Sequence, residues 1–116
     1  MKNILGWTTQ EQAKQLVMYG LSVYTHDMYW EEDPLTDITT LKNGHCSLIA
    51  YYSLGYREGY LVPCWSLGRL IEIAESYEGA KVSYDDHSWQ IRQGDIHCIG
   101  ESLPDVMAEF LKKRKE

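Results

Sequence analysis

The sequence predicts a single α+β domain in which about three helices pack on a small antiparallel sheet of three to five strands. Two observations predict this class. Apolar residues recur with helical spacing in three separate segments, near residues 8–20, 66–77 and 103–114. Short runs of alternating apolar and polar residues, typical of strands, lie between the last two segments. No repeat or Pro/Gly-rich linker divides the 116 residues, which predicts one domain over residues 1–116.

The first helix is predicted in the segment WTTQEQAKQLVMYG. Thr8 and Glu11 have the spacing of a capping box, as do Thr9 and Gln12. Apolar residues then share one helical face, and Gly20 is suited to the end of a helix. The sequence therefore predicts a helix of about three turns that depends on packing for its stability.

Residues 21–44 show no regular periodicity, and turns are predicted at Asp33–Pro34 and Asn43–Gly44. A segment of this length without regular structure is uncommon in a compact domain and is often functional. The next segment, residues 46–63, is rich in apolar, β-branched and aromatic residues. It predicts one long strand or two short strands.

The second helix is predicted to begin within the segment VPCWSLGRLIEI, with Ser66 as its N-cap. Trp65 and Leu70 have the spacing of a hydrophobic staple, which would set the angle at which the chain enters the helix. Gly68 in the first turn costs up to about 1 kcal/mol relative to alanine. Its presence predicts a close approach of another backbone, or a contact surface. The helix is expected to end near Gly79.

An antiparallel meander is predicted after this helix, because turn residues at 85–88 and 93–95 separate short strand-like runs. The third helix begins after Ser102, which has capping spacing to Asp105. Pro104 lies in its first turn, where the missing backbone N–H costs nothing.

The charge of the chain restricts the class of partner. It has 11 lysines and arginines against 17 aspartates and glutamates, a net charge of −6. Such a balance argues against a large phosphate-binding face, so no nucleic-acid partner is expected. No segment approaches the ~18 consecutive apolar residues of a membrane span, and the first residues lack a secretory signal. Three cysteines without framework spacing fit a reducing compartment, which predicts a cytoplasmic protein.

The segment YTHDMYWEED is the strongest candidate for a binding surface. No lysine or arginine occurs between residues 14 and 42, whereas acidic residues and aromatic residues are interleaved there. Aromatic residues are enriched at interaction hot spots. We therefore predict a protein partner, with Tyr24, Asp27, Tyr29 and Trp30 as the contacting residues. A solvated acidic loop is the alternative interpretation.

A thiol enzyme is a second hypothesis. Cys64 lies close to a predicted helix N-terminus, a position that lowers thiol pKa values, and His45 or His97 would serve as the base of a small hydrolase. The alternative is that Cys64 is a small buried hydrophobe. Since no local signature of a cysteine enzyme surrounds Cys64, no catalytic residue is assigned.

A metal-binding module is a third hypothesis, because the chain contains the pairs His45–Cys46 and His97–Cys98 in addition to Cys64. Structural zinc sites, however, separate paired ligands by about two to four residues. Adjacent residues on a strand point to opposite faces, so neither pair is well placed to hold one ion. No metal and no cofactor is therefore predicted.

Two separated segments together resemble a group of small uncharacterised proteins from gut anaerobic bacteria and their phages. The shared pattern is a Thr-x-Glu-Gln helix, an Asp-Met pair and a Pro-x-Trp-Ser-Leu helix start. The matching residues are Thr9, Glu11 and Gln12, then Asp27 and Met28, then Pro63, Trp65, Ser66 and Leu67. The closing segment GESLPDVMAEFL is also similar. The resemblance implies a cytoplasmic accessory protein associated with phages or other mobile elements, and it assigns no reaction. The leading functional hypothesis is thus a small non-enzymatic interaction module.

Overall fold

The computed structural model describes residues 6–33, 35–46 and 61–115. These residues form three α-helices, one 3₁₀ turn and six strands. In chain order they are α1 (Gln10–Met18), the 3₁₀ turn (Val23–Thr25), β1 (Met28–Glu32), β2 (Thr39–Asn43), β3 (Leu61–Cys64), α2 (Leu67–Ser76), β4 (Lys81–Asp85), β5 (Ser88–Gln93), β6 (Ile96–Gly100) and α3 (Leu103–Lys115). The predicted α+β class and the three predicted helices are confirmed.

The prediction of one sheet is wrong, because the described strands form two three-stranded antiparallel sheets, ordered β2-β1-β3 and β4-β5-β6. The sequence prediction missed the β1–β2 hairpin, which lies within residues 21–44. Every residue of β1 is half-buried, so the strand lacks the clean alternation that would have revealed it. Of the strand or strands predicted over residues 46–63, the structure describes the end, in β3; the remainder lies outside the described residues.

Local sequence signals account for the helix and turn boundaries. Thr9 and Gln12 form the capping box of α1. Gly20 follows the helix with a φ of 103°, a conformation that favours glycine. The turn between β4 and β5 has positive φ at both Asp86 and His87, 50° and 60°, as in the tight hairpin turns that match strand twist.

The core lies between the β4–β6 sheet and the helices. Helix α3 packs on β5 and β6 and against α1 and α2, while α1 also packs on β3. The largest side chains without solvent exposure come from all of these parts of the chain: Leu16, Trp65, Leu70, Ile91, Met107 and Phe110. None of the helices in the described ranges is long and apolar enough to cross a membrane.

The start of α2 lies where the sequence predicts it. Ser66 is the N-cap, and its side chain accepts a hydrogen bond from the Arg69 backbone N–H. Trp65 and Leu70 are both fully buried in the core cluster. The predicted close approach of another backbone to Gly68 is not found in the part of the chain that the structure describes, where a Cβ added at Gly68 meets no atom within 4 Å. Gly68 is exposed and has a φ in the ordinary negative range.

We expect Gly68→Ala to raise the free energy of unfolding by up to about 1 kcal/mol, because alanine loses less backbone entropy in a helix. Urea denaturation measures the change. Gly79→Ala is the matched control: Gly79 has a φ of 80°, so alanine should destabilise there. A loss of stability in Gly68→Ala would contradict the open, helical environment of this residue.

Candidate functional site

The β1–β2 hairpin has an inner and an outer face. Trp30 and its cross-strand partner Leu41 lie on the inner face. The Trp30 ring packs against the core, and its Nε1–H donates to the Thr8 carbonyl oxygen at 3.4 Å. Tyr29 and Lys42, which pair across the strands, lie on the outer face by alternation.

The outer face carries a charged pair beside the aromatic ring of Tyr29. Lys42 Nζ lies 3.1 Å from a Glu31 carboxylate oxygen, and both side chains are about half-exposed. The hydrogen bond to Glu31 raises the pKa of Lys42. An exposed pair of this kind contributes little to stability. Because its two charges are opposite, the outer face is polar but not strongly charged at this point.

The tip of the hairpin is held by Asp33. Its backbone N–H donates to the Ile38 carbonyl at 2.9 Å, and its carbonyl accepts from the Asp37 N–H at 2.8 Å. Its side chain accepts from the Leu35 N–H at 2.9 Å. Two aliphatic side chains project from this closed loop, Leu35 with 92% exposure and Ile38 with 61% exposure.

Leu35 and Ile38 were not among the predicted binding residues. Leu35 lies between the turn-forming Asp33 and Asp37, and Ile38 directly follows Asp37, which has a positive φ of 58°. A turn-forming aspartate shortly before each of the two aliphatic residues was the signal that the sequence offered. It was missed because the hairpin itself was not predicted.

The four predicted binding residues lie in different environments. Tyr24 is 67% exposed on the 3₁₀ turn, and Tyr29 is half-buried on the outer face of the hairpin. Trp30 points toward the core, as described above. Asp27 lies at the N-terminus of α2 rather than on the hairpin surface. The structure thus leaves two aromatic residues of the predicted set facing outward.

Asp27 clamps the beginning of α2. One of its carboxylate oxygens accepts from the Ser66 backbone N–H at 2.9 Å, and the other accepts from the Ser66 hydroxyl. Ser66 in turn accepts from the Arg69 N–H at 3.1 Å. A carboxylate beside a helix N-terminus is also favoured by the helix dipole. Asp27 therefore connects the start of β1 to the start of α2.

Cys64 has the features of a structural thiol. Its side chain has no solvent exposure, and its Sγ donates to the Thr8 carbonyl at 3.3 Å. Burial raises the pKa of the Cys64 thiol. This effect outweighs the decrease in pKa that a nearby helix N-terminus would produce. Thr8 is itself fully buried, and its hydroxyl accepts from the Trp65 N–H at 3.1 Å.

The two candidate base histidines lie in different parts of the fold. His45 follows β2 and stacks on His26, with ring centroids 4.4 Å apart. His97 is exposed on β6, where its Nε2 lies 2.9 Å from the Gln90 side-chain oxygen. Cys98, next to His97, is buried, so this pair does point to opposite faces. Within residues 6–33, 35–46 and 61–115, no three His, Cys, Asp or Glu side chains are grouped to hold a metal ion.

A cleft of about 500 Å³ lies between the start of α1 and the start of α3. Gln12 crosses it, with its Nε2 donating to Ser102 Oγ at 3.1 Å. Asp105 and Glu109 on α3 give the cleft an acidic wall. The sequence did not predict it, since its two sides are some 90 residues apart in the chain.

The chain matches no protein-family model, no curated protein and no solved structure.

Proposed function

We propose that this protein is a small non-enzymatic interaction module that contacts a protein partner through the tip and outer face of the β1–β2 hairpin. The observation that carries the proposal is the exposure of Leu35, 92%, on a loop closed by hydrogen bonds. Ile38 adds a second exposed aliphatic side chain beside it. Burial of such side chains is the main favourable contribution to association.

The geometry of the tip favours binding for an entropic reason. When a disordered loop binds a partner, the free energy needed to order the loop weakens the binding. This cost is about 0.5 to 1.5 kcal/mol for each flexible side chain that becomes immobilised. Asp33 already orders the loop through three hydrogen bonds with Leu35, Asp37 and Ile38. The apolar contacts of Leu35 and Ile38 therefore contribute to affinity with little loss for ordering the backbone.

The charge around the tip indicates the chemistry of the partner. Glu32, Asp33 and Asp37 lie at or beside the tip, and no lysine or arginine precedes Lys42 in this part of the chain. A partner surface with an apolar pocket and a basic rim would complement this arrangement. Charge complementarity of this kind raises the association rate, and salt should weaken it.

Two of the four residues that the sequence predicts as contacts fit this surface better than the others. Tyr29 lies on the outer face of the hairpin, and Tyr24 is exposed on the neighbouring 3₁₀ turn. Asp27 and Trp30 instead form contacts within the fold, to Ser66 and to Thr8. We propose that these two support the surface without forming it.

We expect the double variant Leu35→Ser/Ile38→Ser to reduce partner binding by at least about tenfold, because hot-spot truncations exceed about 2 kcal/mol. The tagged chain is used to capture partners from a lysate of its own host cell, with native mass measurement of the complex. Titration of the captured partner then gives Kd. Stability should change little, since both residues are exposed.

The control variant is Met18→Ser/Ile99→Ser, which removes two exposed apolar side chains outside the hairpin, 69% and 55% exposed. It should bind the partner as the unmodified chain does. Equal losses in the two variants would place the contact elsewhere. Recovery of nothing but an inert monomer would remove the main support for an interaction module.

We also propose that the protein works in the cytoplasm, on the support of its three free cysteines, Cys46, Cys64 and Cys98. A link to phages or other mobile elements is supported by the sequence motifs quoted above. The genes that neighbour the coding sequence would test it, because a capsid or recombinase gene beside it is the expected finding.

A further inference from the structure

His26 is buried, with 3% exposure, and both of its ring nitrogens are engaged. Nδ1 donates to the Val23 carbonyl, and Nε2 accepts from the Cys46 backbone N–H at 3.0 Å. A carbonyl only accepts and an amide N–H only donates, so Nδ1 carries the hydrogen and Nε2 carries none. The contacts therefore require the neutral ring in one tautomer.

We propose that His26 is a proton-operated latch that holds residues 44–46 against the 3₁₀ turn when neutral and releases them when protonated. The latch lies at the open end of the β1–β2 hairpin. Met28 pairs there with Asn43, and the next residue along, Gly44, donates its N–H to the Asp27 carbonyl at 2.8 Å. The latch thus adds the contact between His26 and Cys46 beyond the last strand pair.

Protonation opposes the closed arrangement in two ways. A hydrogen on Nε2 would face the Cys46 N–H, so that two donors meet and the hydrogen bond is lost. The resulting imidazolium would also be buried and stacked 4.4 Å from the His45 ring. Release of residues 44–46 relieves both, because water then solvates the charged ring.

The groups around His26 come from several elements. Burial and the neighbouring His45 lower the pKa of His26, while the Val23 carbonyl and Asp27 raise it, with burial the largest cause and a net lowering. The Asp27 carboxylate is already engaged by Ser66. From α2, the Arg69 side chain donates to the Thr25 carbonyl, and it adds a positive charge near the turn.

The sign of the pH dependence follows from this lowering. The released state titrates near the ordinary histidine pKa of about 6.5, and the closed state titrates below it. The latch is therefore fully stabilising above about pH 6.5 and loses its contribution as the pH falls toward the lower pKa of the closed state. Between the two values, release increases by up to about tenfold per pH unit.

Amide hydrogen exchange of the ¹⁵N-labelled chain between pH 8 and pH 5 tests the proposal, with rates corrected for their intrinsic pH dependence. We expect the Cys46 amide to lose protection as the pH falls below about 6.5, by no more than about tenfold per pH unit. Nitrogen shifts of His26 should show the tautomer with hydrogen on Nδ1 at pH 8. Unchanged protection of Cys46, or an ordinary His26 midpoint near 6.5, would overturn the latch.

Three variants sharpen the test. His45→Asn leaves both hydrogen bonds of His26 intact and removes the stacked ring, so the His26 midpoint should move to higher pH. His87→Asn, in an exposed turn, is the control and should leave the midpoint unchanged. His26→Gln should make Cys46 protection independent of pH. If His26→Gln does not fold, an unmoved midpoint in His45→Asn still overturns the proposal.

Discussion

Replacing Trp65 with alanine lowers the free energy of unfolding by about 3 to 5 kcal/mol, the largest effect expected for this chain. The Trp65 side chain has no solvent exposure and lies in the core cluster with Leu70. Its Nε1–H donates to the Thr25 hydroxyl at 3.0 Å. Alanine would therefore leave a large cavity and remove the donor to the Thr25 hydroxyl, and a domain of this size has little stability to lose.

Urea or thermal denaturation of Trp65→Ala measures this loss, with Trp65→Phe as the matched variant. Phenylalanine keeps most of the buried ring and loses the Nε1–H, so we expect a smaller loss of about 1 to 2 kcal/mol. Tyr24→Ala, at a residue 67% exposed, should stay within about 0.5 kcal/mol of the unmodified chain. Equal stability of the two Trp65 variants would contradict the buried position of the ring.

Replacing Asp27 with alanine is expected to lower the free energy of unfolding by about 2 to 4 kcal/mol. The substitution removes two hydrogen bonds to a charged acceptor, from the Ser66 N–H and from the Ser66 hydroxyl. It also removes a negative charge from the N-terminus of α2. The Ser66 N–H would then lack its acceptor in a half-buried position.

A double-mutant cycle separates this clamp from ordinary capping. Ser66→Ala alone should cost about 1 to 2 kcal/mol, because it removes the N-cap as well as one bond to Asp27. The double variant Asp27→Ala/Ser66→Ala should lose clearly less than the sum of the single changes. Asp27→Asn keeps an acceptor for the Ser66 N–H and should be intermediate. Additive effects would show that the two side chains do not act together.

Local chemistry made much of the fold predictable. The capping box of Thr9 and Gln12, the N-cap Ser66 and the turn at Asp86–His87 all depend on residues within a few positions of one another. Such signals state where an element begins or ends without any knowledge of its neighbours. The β1–β2 hairpin escaped prediction for the opposite reason: β1 is half-buried by partners distant in sequence, such as Thr8 beside Trp30.

The sequence indicated the part of the chain near the candidate binding surface, but it identified only some of the residues that form this surface. The aromatic and acidic composition of residues 24–33 indicated a contact surface, and Tyr24 and Tyr29 do face outward. Composition could not show that alternation along β1 turns Trp30 inward. Nor could it show that Asp27 pairs with Ser66, 39 residues away.

The sequence by itself determined the α+β class, the three helices and the tight turns, because periodicity and capping are local properties. Only the tertiary structure decided how Cys64, His26 and Asp27 behave, because burial and hydrogen-bond partners set their chemistry. The Cys64 thiol donates to the Thr8 carbonyl, His26 Nε2 accepts from the Cys46 N–H and therefore carries no hydrogen, and the Asp27 carboxylate accepts from the Ser66 N–H. Each of these contacts joins segments at least 20 residues apart. The local sequence pattern of one segment does not show which distant segment will pack against it.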